Sequence, residues 1–402
     1  MKEILYVWNY REWGGAQIYF MSLMKEAKKI YTVTALLPEN SDTMLLQYLS
    51  DIDVPVSFLP PVESSGAGKG FIAKLAQKLA HLRSEARMVG NILGRENVSE
   101  QIVHIDLGFW QSFLSLSRLC HRTNVFTTVH TGLPALTGWR RLRWKIKGQM
   151  ISRYSKFHLM ASNADAKESL RPYISPQKFD QVQVAYSGFD PSEIQRVLDN
   201  QRREENREKR QLPNNVMVLI TVGQFIERKG CWILLEALRR LKTQGHSFTF
   251  LWLATTALAP EVLEKIKAYG LGNSFRVLGG DEIGNTRDDL LSLMSLADIF
   301  VLASLQEGLP IALVEAMALG LACIATRINA IPEAITDGEN GILVPPNDPS
   351  RLPQAIEDLL SDSEKRKRLG AAAKRTAYER FDERITAERT LKLYDAVWKS
   401  NS

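Results

Sequence analysis

The run 305–326, LQEGLPIALVEAMALGLACIAT, puts two carboxylates, Glu307 and Glu315, on either side of a Gly-Leu-Pro turn that opens an otherwise apolar helix. Core helices rarely carry charge, so Glu315 requires an explanation. Pro310 fits the first helical position, and the amides from Leu309 through Ile311 to Leu313 would lack intrahelical partners, which makes the turn an anion site. Glu307 would stand just outside it, within reach of a hydroxylated group. Glu315, about a turn and a half inside the helix, could accept hydrogen bonds from another. A structural alternative fits equally well: Glu315 pairs with a core polar group or Arg327, and Glu307 caps a loop.

A second constellation is Val222-Gly223-Gln224-Phe225-Ile226-Glu227-Arg228-Lys229-Gly230, which ends one strand and leads into a helix. Arg228 and Lys229 at a strand's carboxyl end, beside a helix start, suit phosphate binding. The absence of G-K-S/T excludes a P-loop of the ATPase kind, and an ordinary exposed pair is the alternative. Near the N-terminus, Trp13-Gly14-Gly15-Ala16-Gln17 follows the first strand, and Gly15 would allow backbone amides close to an anion or serve only a tight turn. It is not a G-x-G-x-x-G fingerprint. His130 ends VFTTVH, while His104 and Asp106 end IVHID. Polar groups at such strand ends line substrate clefts more readily than they make a metal site here, for there is neither H-x-x-x-H nor a cysteine partner. Asp51-Ile52-Asp53 is formally D-x-D but reads as solvated loop, so no metal ligands are assigned.

The chain has 402 residues, 45% of them apolar, and a net charge of +6. That length suits two domains. The positive excess is local: Arg140, Arg141, Arg143, Lys145, Lys147, Arg153 and Lys156 fall in a stretch without an acid, interleaved with Trp139, Leu142, Trp144, Ile146 and Met150. Such a stretch suits an anionic membrane surface or anionic substrate, or a solvated helix with its tryptophans inside. No nucleic-acid reader accompanies it. Three dispersed cysteines, Cys120, Cys231 and Cys323, propose no disulfide framework, and Glu3, Arg11 and Glu12 interrupt any secretory signal. The expected location is the cytoplasm, with the inner face of the cell membrane as a peripheral site.

Short branched or aromatic runs alternate with helical patterns twice along the chain, which predicts two doubly wound parallel-sheet α/β domains facing a deep cleft at the carboxyl ends of their strands. Residues 1–190 form the first domain in this reading, 191–212 a charged linker containing QRREENREKR, and 213–380 the second domain. Residues 381–402 form a helical tail whose apolar side requires a surface, the first domain being the candidate.

At this point EGLPIALVEAMALG, with Glu307 and Glu315 as E-x7-E, resembles the signature of the retaining GT-B glycosyltransferases of family four. The likeness continues through Ile331-Pro332-Glu333-Ala334-Ile335, Asn340-Gly341-Ile342-Leu343-Val344, Gly14-Gly15-Ala16-Gln17, Thr128-Val129-His130, Tyr186-Ser187-Gly188-Phe189-Asp190, and Gly223 with Arg228-Lys229-Gly230. The resemblance implies metal-independent transfer of a hexosyl group, with retention, from a UDP- or GDP-linked sugar to a glycan or lipid-linked acceptor. It implies that Glu307 contacts donor-sugar hydroxyls, Glu315 holds the ribose, Arg228 and Lys229 neutralise the diphosphate, His130 lines the sugar pocket, and Gly15 lies against the phosphates. Gly223, Leu309, Pro310 and Ile311 complete the donor site. Departures are Gln224, where many relatives carry Arg, Leu253-Ala254-Thr255-Thr256, Ala303, Ala322 and Asn329-Ala330. Competing classes are a nucleotide-sugar epimerase on the same scaffold, short here of acid and base groups, and a non-catalytic nucleotide-sugar-binding protein.

Overall fold

The two alternating series form two parallel sheets in the computed structural model, which describes residues 2–10, 15–61, 71–200, 203–254, 256–284 and 286–400. The chain divides into two units, Met1–Ser187 with Arg384–Ser402, and Gly188–Glu383.

Unit 1 contains β1 (Glu3–Val7), β2 (Thr32–Pro38), β3 (Val56–Leu59), β4 (Ile102–Ile105), β5 (Asn124–Val129), β6 (Phe157–Ala161) and β7 (Gln183–Val184), in the sheet order β3-β2-β1-β4-β5-β6-β7. Every residue of β4 and β5 is buried. A parallel sheet is covered on both faces, so even the polar residues of these strands, His104, Asn124, Thr127 and Thr128, are buried among branched and aromatic ones. Leu5, Val7, Val103 and Ile105 point into one core layer, whereas Ile4, Tyr6 and Phe126 point into the other, with Phe20, Met24, Tyr394 and Trp398.

Tyr394 and Trp398 belong to the C-terminal helix Glu383–Ser400. Its apolar side is covered by unit 1: the Trp398 indole lies 4.9 Å from the Tyr31 ring and donates to the Glu100 carbonyl at 3.1 Å. His104, a candidate cleft residue, is instead fully buried. Its Nδ1 lies 2.5 Å from Tyr394 Oη and its Nε2 2.8 Å from Thr128 Oγ1. Both ring nitrogens are thereby satisfied within the core, as a buried imidazole requires.

Unit 2 contains β8 (Met217–Val222), β9 (Phe248–Ala254), β10 (Phe275–Gly279), β11 (Ile299–Leu302), β12 (Ala322–Thr326) and β13 (Ile342–Val344), in the order β10-β9-β8-β11-β12-β13. The order reverses between β8 and β11, which register Ile299 against Leu219. A doubly wound sheet offers its ligand crevice beyond the carboxyl ends of the strands at this switch point.

Residues 191–212 differ from the expected linker. They carry the helices Pro191–Asp199 and Arg203–Lys209, both within unit 2. Arg207 is buried; its Nη2 donates to the Leu296 carbonyl at 2.8 Å and to Asp298 Oδ2 at 2.7 Å. The cation satisfies a carbonyl at the end of the helix Arg287–Ser295, so charge here anchors a segment rather than solvating it. The observed unit boundaries, 187/188 and 383/384, accordingly differ from the expected ones. Gly188 suits the first crossing, since a Cβ there would lie 2.6 Å from the Glu383 Cα. Among the described residues, no helix is long and apolar enough to cross a membrane.

Candidate functional site

The segments following β8, β11 and β12 converge at the switch point of unit 2. Gly223 leaves β8 at φ 142°, and its carbonyl accepts from the Trp252 indole at 2.9 Å. The chain then makes the 3-10 turn Glu227–Lys229 and enters the helix Cys231–Thr243 through Gly230, at φ 70°. A Cβ on Gly230 would lie 1.9 Å from the Ala303 carbonyl oxygen. The left-handed conformation and the close approach both demand glycine. Ala303, a departure from the family pattern, is therefore the residue against which the cation turn closes, and Leu305 N donates to the Arg228 carbonyl at 2.8 Å.

This closure brings Lys229 Nζ within 2.5 Å of Glu307 Oε1, the same oxygen that accepts from Ser304 Oγ at 2.6 Å. Arg228 stands 3.8 Å from Glu307 Oε2 with its side chain 46% exposed, and Nη1 donates to the Gln306 carbonyl at 3.1 Å. Glu307 N donates to Asn329 Oδ1 at 3.3 Å. Asn329 holds φ 41°, a left-handed conformation that asparagine tolerates. Ser304 is placed in turn by Thr326, whose hydroxyl donates to the Ser304 carbonyl at 2.5 Å. Glu307 is therefore a buried carboxylate held by two cations and a hydroxyl, more than a loop cap. Arg228 remains the accessible positive charge. Gln224 is exposed as well.

Leu309 and Ile311 are buried, and Pro310 occupies the position just before the helix Ile311–Ala318 rather than its first residue. The Leu313 and Val314 amides bond back to the Pro310 carbonyl, so the set of free amides is smaller than the sequence suggests. Glu315, 2% exposed, pairs with Arg287 rather than Arg327; Arg327 binds Asp337 at 2.7 Å. Arg287 also reaches Glu193 at 3.2 Å. Sequence reasoning missed Arg287, Glu193 and Ser304. Arg287 did carry a signal, being a base at a helix start where the dipole favours acids.

Unit 1 holds the remaining expected residues. Gly15 opens the helix Gly15–Ala27 directly after the segment that follows β1; Trp13 and Gly14 lie outside the described residues, as does Thr255. His130 follows β5, its ring edge-on to Tyr19 at 5.2 Å. Burial lowers its pKa, with the Asp106 carboxylate opposing that shift, and Tyr10 donates its hydroxyl to Asp106. His130 Nε2 is buried with no hydrogen-bond partner among the described residues. Asp53 sits in a positive-φ turn with its side chain 98% exposed, and among the described residues no cluster of His, Cys, Asp and Glu could hold a metal.

Residues 202–376 match the family described as Glycosyl transferases group 1. The lipopolysaccharide core biosynthesis glycosyltransferase LpsE of Rhizobium meliloti (strain 1021) is 30% identical over 188 residues, 47% of this chain and 52% of that protein. The N,N'-diacetylbacillosaminyl-diphospho-undecaprenol alpha-1,3-N-acetylgalactosaminyltransferase of Campylobacter jejuni is 37% identical over 114 residues, 28% of this chain and 30% of that protein. The matched regions thus span about half of the first relative and under a third of the second. Among solved structures, Anabaena HepE in complex with UDP and glucose has a TM-score of 0.76 at 18% identity, covering 98% of this chain and 100% of that one. The fold is GT-B, two Rossmann-like parallel-sheet domains, and residues 202–376 of the chain are similar to the group 1 glycosyl transferases.

Proposed function

We propose that this protein transfers a hexosyl group from a UDP- or GDP-linked sugar to a glycan or lipid-linked acceptor in cell-surface polysaccharide or glycolipid synthesis, with retention at the anomeric carbon and without a bound metal. The observation that carries the reading is the cluster at the switch point: Lys229 at 2.5 Å and Arg228 at 3.8 Å from the buried Glu307 carboxylate. A departing diphosphate gains negative charge, and preorganised cations stabilise that charge most in the transition state. Glu307 then does two things: it holds the Lys229 ammonium in place and offers acceptor oxygens to sugar hydroxyls. Within unit 1, the buried His130 Nε2, which has no hydrogen-bond partner among the described residues, is costly unless a ligand satisfies it. The names of the relatives, lipopolysaccharide core synthesis and a diphospho-undecaprenol substrate, support a surface-glycan or lipid-linked acceptor.

Donor turnover by the purified chain tests the reading. UDP- and GDP-hexoses are incubated with lipid-linked and soluble glycan acceptors, and then without acceptor. Acceptor-dependent transfer that gives the α-linked product from an α-linked donor is expected. Clean interconversion of two nucleotide sugars without acceptor would establish the epimerase instead, and donor binding without turnover across the panel would favour a binding protein. Activity abolished by chelator and restored by manganese would overturn metal independence.

The membrane side of this reading is carried by the helix Gly138–Ile151. Trp139, Leu142, Ile146 and Met150 are exposed on it, Trp139 to 74%, at spacings that place them along one stripe. Arg140, Arg141, Arg143 and Lys145 are exposed around them. Trp144 turns the other way and stacks on Trp110 at 5.6 Å, while Lys147 donates to the Trp110 carbonyl at 2.8 Å. The two tryptophans thus divide the work of anchoring the helix and presenting a surface. An apolar stripe bordered by cations suits the interface of an anionic bilayer, where each cation is worth ~1 kcal/mol and salt weakens the attraction. Flotation with phosphatidylglycerol vesicles should recover the protein at low salt and release it at high salt. Binding unchanged after neutralising Arg140, Arg141, Arg143 and Lys145, or absent at low salt, would defeat it.

A further inference from the structure

Arg287 begins the helix Arg287–Ser295, whose start is already capped by Thr286 and Asp289. The helix dipole disfavours a base there, and ordinary burial disfavours it further. Yet its side chain is only 13% exposed, set between Glu193 (11%) and Glu315 (2%). Nε donates to Glu193 Oε2 at 3.2 Å, and Nη2 donates to Glu315 Oε1. Glu315 Oε2 makes no hydrogen bond among the described residues. The helix that carries Glu193 is itself tied to this one: Arg196 binds Asp288 through two hydrogen bonds, at 2.8 and 3.0 Å. One buried guanidinium thus serves two carboxylates, and only one oxygen of Glu315 is consumed. A fork held on its far side by Glu193 cannot readily follow a ligand, and a carboxylate held by one oxygen keeps the other for hydroxyl donors.

We infer that Arg287 is a positioning residue for the donor's ribose: held by Glu193, it fixes and neutralises the Glu315 carboxylate so that the remaining oxygen accepts from the ribose hydroxyls. This rests on the donor reading above, and specifically on Glu315 meeting the ribose.

The test compares UDP and GDP with their 2′,3′-dideoxy counterparts by calorimetry, using wild type, R287M, R287K and E315A. The nucleotide that wild type binds more tightly should lose affinity when its hydroxyls are removed. R287M should lose about 10-fold on the ribonucleotide and almost nothing on the dideoxy form, a selectivity that a purely structural role would not produce. R287K, a point charge in place of a fork, should lose about 3-fold with the same selectivity. An equal loss on both ligands, or no loss, overturns the inference; should R287M fail to fold, an unchanged ribose preference in R287K does so. If E315A abolishes the preference and R287M keeps it, the inference fails alone. If wild type shows no preference, or binds neither nucleotide, the ribose reading of Glu315 fails and takes the inference with it.

Discussion

Gly230 is where the cation turn has least freedom. An alanine there would need φ near 70°, at roughly 1–2 kcal/mol for a residue with a Cβ, and would collide with the Ala303 carbonyl. We expect G230A to lose at least that much stability in denaturant titration and to lower kcat/KM by about 10-fold or more, because the displaced turn carries Arg228 and Lys229. Wild-type kinetics in a normally folded G230A would show that the turn tolerates the shift. The Glu315→Ala substitution should behave differently. It removes one carboxylate from a guanidinium that keeps Glu193, so no buried cation is orphaned and the fold should survive. Loss of a ligand acceptor should still weaken nucleoside-diphosphate binding by roughly 1–3 kcal/mol. Unchanged affinity by calorimetry would remove Glu315 from the site. Lys229→Met should lower kcat by about 10²- to 10³-fold, as removal of a preorganised charge does; undiminished turnover would transfer that role to Arg228. Glu307 and Glu315 were legible because charge in an apolar run is anomalous. Arg287 was less so, since its two partners lie on two other helices brought to it only by packing.

At the scale of elements, the strands were legible because buried parallel strands are short runs rich in branched and aromatic residues, and β4, β5, β8 and β9 fall where those runs predict. What composition misread was the segment around residues 201–210. Alternating charges on a short helix look solvated, and nothing in their pattern reveals that a helix end elsewhere leaves carbonyls in need of a donor. Arg207 fills that need at Leu296 and pairs with Asp298, whose Oδ2 also accepts from Val218 N at 2.8 Å. Arg207→Ala would leave the Leu296 carbonyl and Asp298 Oδ1 to the more exposed Arg203, and Asp298 Oδ2 to the Val218 amide. We expect a destabilisation of about 1–2 kcal/mol, read as a lower denaturant midpoint for unit 2. A change below about 0.5 kcal/mol would mean that the segment is held by its apolar contacts alone.

At the scale of the whole molecule, the ionisable core groups are unevenly divided. His104, His130 and His158 all lie in unit 1, and burial lowers the pKa of each, that of His158 to about 4. His158 is stacked on Phe126 at 4.5 Å, an arrangement suited to the neutral ring. The sign of the effect follows from linkage. Each of these imidazoles is held neutral in the fold but takes a proton near pH 6.5 when unfolded, so the unfolded chain binds more protons as pH falls below that value. Unit 1 therefore loses stability from pH 6.5 downward, and the His158 share, on the order of 3 kcal/mol, is exhausted near pH 4. In unit 2 the corresponding buried group is Glu193, whose carboxyl burial shifts upward, with Arg287 opposing. Its sign is opposite: it holds a proton more readily folded than unfolded, so acid does not cost unit 2 stability at this site. Scanning calorimetry from pH 7.5 to 5, with proteolytic mapping of the segment that opens first, should show the unit 1 transition falling faster than that of unit 2. His158→Gln should narrow the separation, since an amide has no proton to gain. Transitions that fall in parallel, or a unit 2 that opens first on acidification, would mean that carboxylate pairs rather than buried imidazoles set the acid limit of this fold.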